Sequence, residues 1–236
     1  MSATRPLAAA HRSRDTELLD IARIADRTEV LGPGVRSVVW VQGCALRCRG
    51  CVVPESHAFD TGKPLTPAAL ADRLVRGHDS DGVVFSGGEP FLQARGLAAT
   101  IALLRRRRPQ WTYVSYSGYR IETLRARGTP DQRTLLSELD LLIDGPYVRS
   151  LAGDLLWRGS SNQRLHALTP EGARAVAGRG DRSAGVELTL DDEGRLAWNG
   201  VAPPDFRARL DAALARSGLH RLHGVTGTDQ PRQGEM

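Results

Sequence analysis

Gly43-Cys44-Ala45-Leu46-Arg47-Cys48-Arg49-Gly50-Cys51 carries every cysteine of a 236-residue chain, three thiols separated by three and then two residues. The stretch follows the apolar run Val38-Val39-Trp40-Val41, so it reads as a loop leaving the end of a buried strand. Thiolates set this close can converge on one centre, and soft sulfur ligands select zinc or an iron-sulfur cluster. A cubane 4Fe-4S cluster needs four ligands, so three cysteines with no fourth leave one iron open to a substrate or cofactor. A structural zinc site would instead close its tetrahedron with a further side chain, for which His57 is near in sequence. A disulfide framework would leave one cysteine over, and nothing marks the chain as secreted.

Outward from that loop the chain alternates strand and helix patterns. On the N-terminal side, Leu18 to Ala25 reads as a first strand and Gly32-Pro33-Gly34 as a turn. On the C-terminal side, Thr66-Pro67 is an N-cap with proline at the first helical position, opening a helix to about Arg76. Gly82-Val83-Val84-Phe85 is the next strand and runs into Ser86-Gly87-Gly88-Glu89-Pro90. A helix from Leu92 to Arg107, a strand from Trp111 to Tyr116, two short helical pieces split at Gly128-Thr129-Pro130, and a strand Leu141-Leu142-Ile143 ending at Asp144 complete the repeat. This order predicts parallel βαβ units whose strands end on one rim. The rim would gather the cysteine loop, the Gly-Gly-Glu-Pro loop, the Ser117-Gly118 loop and Asp144, where an α/β fold keeps its chemistry.

Past Trp157 the pattern changes. A polar run Arg158 to Arg164 precedes the short apolar segment Leu165 to Leu168, and residues 172–184 read as a linker. Val186 to Leu190, a turn at Asp191-Asp192-Glu193-Gly194 and Arg195 to Trp198 make a hairpin, followed by an amphipathic helix from Pro204 to Arg216. The expected organisation is a disordered arm (1–16), a core (17–170), an extension of hairpin and helix (171–218) and a disordered tail (219–236), where His220 and His223 are solvated.

Composition excludes several classes. A hydrophobic content of 41 % supports a core without staples. The net charge of +5 comes almost wholly from arginines scattered among Asp and Glu. The dense run Arg105 to Arg108 closes a helix, where cations suit the dipole, so no nucleic-acid partner is expected. No apolar run is long enough to span a membrane and no signal peptide is evident, which makes the reducing cytoplasm the default compartment.

Cys-x3-Cys-x2-Cys after one strand with Gly-Gly-Glu-Pro after the next resembles the radical S-adenosylmethionine (SAM) superfamily. Gly32-Pro33-Gly34, Arg36, Gly50, Pro54-Glu55-Ser56, Ile143-Asp144-Gly145-Pro146 and Arg158-Gly159-Ser160-Ser161-Asn162-Gln163 are together similar to the anaerobic ribonucleotide-reductase activating proteins, over residues 18–170. The resemblance implies an α/β fold: a partial (β/α)6-like barrel with a mostly parallel sheet. It implies one 4Fe-4S cluster on Cys44, Cys48 and Cys51, with SAM chelating the fourth iron and split to a 5'-deoxyadenosyl radical. Gly87, Gly88 and Glu89 would meet the methionyl end of SAM, Ser115 and Ser117 the adenosyl part, Asp144 the ribose or a cation, and Ser160, Ser161 and Asn162 the rim. The implied partner is a glycyl-radical enzyme, with flavodoxin or ferredoxin as electron donor. Two other readings remain at this point: a radical SAM enzyme tailoring a peptide or small metabolite in natural-product biosynthesis, and a non-enzymatic zinc module. Val52 and Val53 stand where those activases often carry an aromatic residue or Asn, which bears on the substrate more than on the chemistry.

Overall fold

The computed structural model describes residues 18–76, 79–190, 196–203 and 205–216. The expected arm, the tail with His220 and His223, and the turn Asp191 to Gly194 lie outside the described residues. Along the chain run β1 (Leu19–Thr28), β2 (Arg36–Val41), β3 (Lys63–Leu65), α1 (Pro67–Val75), β4 (Gly82–Gly87), α2 (Ala94–Arg107) and β5 (Thr112–Ser117). There follow α3 (Ile121–Arg127), α4 (Pro130–Glu138), β6 (Leu141–Asp144), β7 (Ala152–Leu155), β8 (Arg158–Ser160), β9 (Arg164–Ala167), α5 (Pro170–Val176), β10 (Val186–Leu190), β11 (Leu196–Gly200) and α6 (Phe206–Arg216).

Strands β2, β4, β5 and β6 pair in parallel, in the sheet order β3-β1-β2-β4-β5-β6-β9. The register sets Val38, Val84, Val114 and Leu141 in one row across the sheet and Val39, Phe85, Ser115 and Leu142 in the next. Successive side chains leave opposite faces, so these rows belong to different cores. Val39, Phe85 and Leu142 pack with Leu70, Leu97, Ile101 and Leu135 from the helices, while Val38, Val84, Val114 and Leu141 pack with Leu31, Leu156 and Trp157 on the other face. Both faces are covered, which is why the central strands read as continuous apolar runs.

The sheet stays open and mixed rather than closing into a barrel. β1 is antiparallel to β2, which the expectation of parallel units alone did not include; the intervening Gly32-Pro33-Gly34 segment, with φ +101° at Gly32 and +68° at Gly34, reverses the chain. β3 and β9 add antiparallel edges to β1 and β6. The stretch expected to be a linker begins inside α5, capped by Thr169, whose hydroxyl accepts the Gly172 N–H at 3.2 Å. The Thr66 cap of α1 is formed as the sequence suggests, and the break at Gly128-Thr129-Pro130 proves to hold a Thr129/Gln132 capping box that opens α4. Arg36 is 3 % exposed and ties three strand beginnings together, donating to the Thr112 carbonyl at 3.0 Å, the Thr112 hydroxyl at 2.7 Å and the Asp81 carbonyl at 3.2 Å.

Candidate metal centre and cofactor cavity

The C-terminal ends of β2, β4 and β5 open onto one cavity of about 430 Å³, a size that suits a small-molecule cofactor. All three cysteines line it, together with Gly87, Gly88, Glu89 and Ser117. The cysteine loop is held at its root by backbone bonds: the Gly43 N–H donates to Ser56 at 2.9 Å, and the Gln42 side chain donates to the carbonyls of Glu55 and Ala58 at 3.0 and 2.8 Å. The Pro54–His57 turn therefore braces the loop from behind. Cys44 is buried and Cys48 and Cys51 are half-buried, and all three are free thiols. Burial pushes the Cys44 and Cys51 thiols up, so each keeps its proton until a metal replaces it.

His57 also lines the cavity, but among the described residues no three His, Cys, Asp or Glu side chains gather around a single ion. A tetrahedral zinc would need its sulfurs about 3.8 Å apart, from Zn–S bonds of about 2.3 Å. Soft thiolates suit such an ion and equally a cluster whose metal atoms each take one thiolate.

Gly87 and Gly88 serve a purpose beyond ligand approach. The Gly88 N–H donates to Val41 at 2.7 Å and the Glu89 N–H to Gly43 at 2.9 Å, so this turn is zipped onto the first residues of the cysteine loop. A Cβ on Gly88 would fall 2.2 Å from the Gly43 carbonyl oxygen, and one on Gly87, at φ +97°, 2.5 Å from that of Val41. Since backbone obstructs on both sides, Gly88→Ala should cost about 3 kcal/mol of stability, read as a lower urea midpoint with an unchanged slope.

Glu89 is 1 % exposed yet faces only donors: its Oε1 accepts from the Phe91 N–H and the Ser117 hydroxyl at 3.0 Å each, and its Oε2 from the Gly118 N–H at 2.8 Å. Those bonds favour the anion, but burial outweighs them and the carboxyl is pushed up to about 7. A cation in the cavity would offset the cost of its charge.

The strand alternation separates the remaining expected residues. Ser115 lies on the helix-covered face, fully buried, and its hydroxyl donates to the Tyr116 carbonyl at 3.0 Å rather than into the cavity. Asp144 is likewise buried away from the cavity: it accepts the Ile121 N–H at 2.6 Å and Arg164 at 2.6 and 3.0 Å, with His166 at 3.1 Å. Arg164 is the main reason its carboxyl stays below the usual range despite burial. Ser160 accepts the Val148 N–H at 3.1 Å, Ser161 is exposed, and Asn162 donates to the Pro146 carbonyl at 2.8 Å. None of these three lines the cavity, whereas their neighbours Gly159 and Gln163 do. The residues missed from sequence are those one position off: Trp40, Ser86 and Tyr116, on the opposite face of the strands. Their signal was the strand parity. Arg23, Tyr147 and Ala197–Val201 also line the cavity, and no local pattern marks them.

Residues 30–166 match the family model described as "4Fe-4S single cluster domain". Anaerobic ribonucleoside-triphosphate reductase-activating proteins align with the chain along nearly their whole length. That of Escherichia coli K12 is 30 % identical over 151 residues, covering 59 % of this chain and 92 % of its own. The Pasteurella multocida protein is 33 % identical over 148 residues with the same coverage, and that of phage T4 is 30 % identical over 145 residues, covering 59 % and 88 %. The chain belongs to this family of radical SAM activating proteins. The structure of QueE from Escherichia coli overlaps 52 % of this chain and 69 % of its own at 13 % identity and a TM-score of 0.36. Family membership makes the activating protein an enzyme and removes the non-enzymatic zinc module from consideration. No helix among its described residues is long and apolar enough to cross a membrane.

Proposed function

We propose that this protein reductively cleaves SAM and uses the resulting radical to activate a glycyl-radical partner enzyme. The observation that carries the reading is the pairing, in one cavity, of three free thiols with a buried carboxylate that meets only donors. Cys44, Cys48 and Cys51 are the ligands of a 4Fe-4S cluster, in keeping with the soft donor set that lines the cavity. Such a cluster, once reduced, supplies the electron that splits the sulfonium of SAM into methionine and a 5'-deoxyadenosyl radical.

The chain's own part is orientation and exclusion of water. Glu89 receives the SAM ammonium, and the Gly87-Gly88 turn lets the methionyl end lie against backbone. Ser117, fixed by Glu89, stands beside the adenosyl part. The names of the relatives, activating proteins of an anaerobic ribonucleoside-triphosphate reductase, support a protein substrate; a reductase that stores its radical on a glycine and a flavodoxin or ferredoxin reductant are what the family resemblance implies.

The test is anaerobic reconstitution with iron and sulfide, reduction with dithionite in the presence of SAM, and chromatography for 5'-deoxyadenosine. Incubation with a candidate reductase encoded beside the gene should then give the doublet of a glycyl radical in its EPR spectrum. A protein that takes up zinc but no cluster would sink the reading. Deoxyadenosine without a glycyl signal would leave SAM cleavage standing and remove the activase role.

A further inference from the structure

The family model ends at residue 166, and the relatives align over nearly all of themselves with only 59 % of this chain. Yet five consecutive residues well beyond that match, Ala197, Trp198, Asn199, Gly200 and Val201, line the cavity that holds the three cysteines. Consecutive residues of a strand point to alternating faces, so a whole run lines a cavity only when the strand presents its edge to it. No residue of β10 lines the cavity, which places β11 between β10 and the site.

The hairpin is fastened to β1 at two points. Glu187 on β10 accepts the Thr28 hydroxyl and the Glu29 N–H, the latter at 2.7 Å. Arg23 donates to the Asn199 side chain and to the Trp198 carbonyl at 3.4 Å, while its guanidinium lies 3.9 Å from the centre of the Trp40 ring. Burial lowers the Arg23 pKa to about 10, still well above neutrality, so the fastening stays charged. Beyond the hairpin, Trp198 stacks at a tilt on Phe206 of α6, with ring centroids 5.3 Å apart. Those two rings, with Ala202 and Pro203, cover a side pocket of about 100 Å³ whose other wall is Gly50, Cys51 and Val52. The extension therefore stands beside the cysteine loop and along the sheet face opposite the helices, where Val201 packs against the cluster of Val30, Leu31 and Trp40.

We propose that the C-terminal hairpin, with Trp198 at its centre, is a fixed wall of the active site that shields the cysteine loop from water and confines substrate entry to the remaining mouth. The inference rests on the reaction given under Proposed function. A sheet that does not close leaves reactive chemistry exposed, and excluding water is what prevents its side reactions. In this chain the closure is covalently attached.

Two full-length variants test it. Trp198→Ala removes the ring that shares the side pocket with Cys51, and Glu187→Ala releases the anchor on Thr28 and Glu29 without altering any cavity-lining side chain. Both are reconstituted with iron and sulfide, and the loss of visible absorbance to a water-soluble iron chelator is timed. Deoxyadenosine formed from SAM and dithionite without partner is then measured. The wall predicts iron loss at least about fivefold faster in both variants, and partner-free SAM cleavage raised about threefold or more, because an opened site no longer excludes water and idle turnover. Iron loss at the wild-type rate in both variants, with melting temperatures showing that they are folded, would overturn the proposal. A wild type that takes up the cluster but makes no deoxyadenosine would overturn the reaction instead, while the chelator comparison would still decide the role of the wall.

Discussion

Cys48→Ala protein is expected to lose its 4Fe-4S chromophore after anaerobic reconstitution and to form 5'-deoxyadenosine at least about a thousandfold more slowly than wild type, because a missing ligand removes the group that performs the chemistry. Cys48 is the informative position. It is half-buried, whereas Cys44 is buried at the root of the loop, where a substitution would also disturb packing. The backbone bond from the Cys51 N–H to the Cys48 carbonyl, at 3.1 Å, does not depend on the side chain and survives the change. The melting temperature of the metal-free variant should therefore match wild type. A Cys48→Ala protein that keeps the chromophore and makes the product would remove the cluster assignment.

Glu89→Gln should weaken SAM binding about a hundredfold or more, since a buried charge-assisted contact is strong and its loss leaves the ammonium unpaired. Calorimetric titration of the reconstituted protein would measure it. Two opposing effects act on the folded variant: glutamine removes the cost of a buried charge but sets an amide N–H₂ against a donor, the Phe91 or Gly118 N–H or the Ser117 hydroxyl. The metal-free melting temperature should thus move little at pH 8, which separates lost binding from lost folding.

The same carboxyl sets a pH dependence. Its folded pKa of about 7 lies above its ordinary 4.5, so the protonated form is favoured by folding. The stability it contributes is complete below 4.5 and is lost as pH rises to about 7, on the order of 3 kcal/mol in all. A cation binds the ionised form, so SAM affinity should run the other way: it rises about tenfold per pH unit up to about 7, above which the ligand's own α-amino group begins to lose its proton. Binding near pH 6, where the ligand's α-amino group is fully protonated, should release about one proton, seen as a buffer-dependent binding heat, and the release should shrink as pH rises through about 7. Affinity that falls as pH rises through 7 would show that Glu89 does not meet the ammonium.

Much of this site was legible because its signals are local. A run of β-branched residues, then three cysteines within eight residues, then Gly87-Gly88-Glu89 after the following strand, needed no knowledge of distant contacts. Thr66-Pro67 starts its helix through a bond to the residue three positions on, and that bond is formed. What escaped the reading was face and partner. Ser115 and Asp144 sit at strand ends, as expected, but on the helix-covered side, and Asp144 is claimed by Arg164, twenty residues on.

By itself, then, the sequence determined the order of strands and helices, the four-stranded parallel core and the loop that carries the thiols, because propensity, periodicity and capping act over a few residues. Only the tertiary structure decided which side chains share the cavity. Register across the sheet brought Trp40, Ser86 and Tyr116 into line at the cavity and turned Ser115 to the helix-covered face, since successive side chains leave opposite faces. Backbone contact between Gly88 and Gly43 locked the two loops together. And the wall of the site came from a hairpin that meets β1 through Arg23 and Asn199, 176 residues apart, a distance over which no pattern in the chain can signal contact.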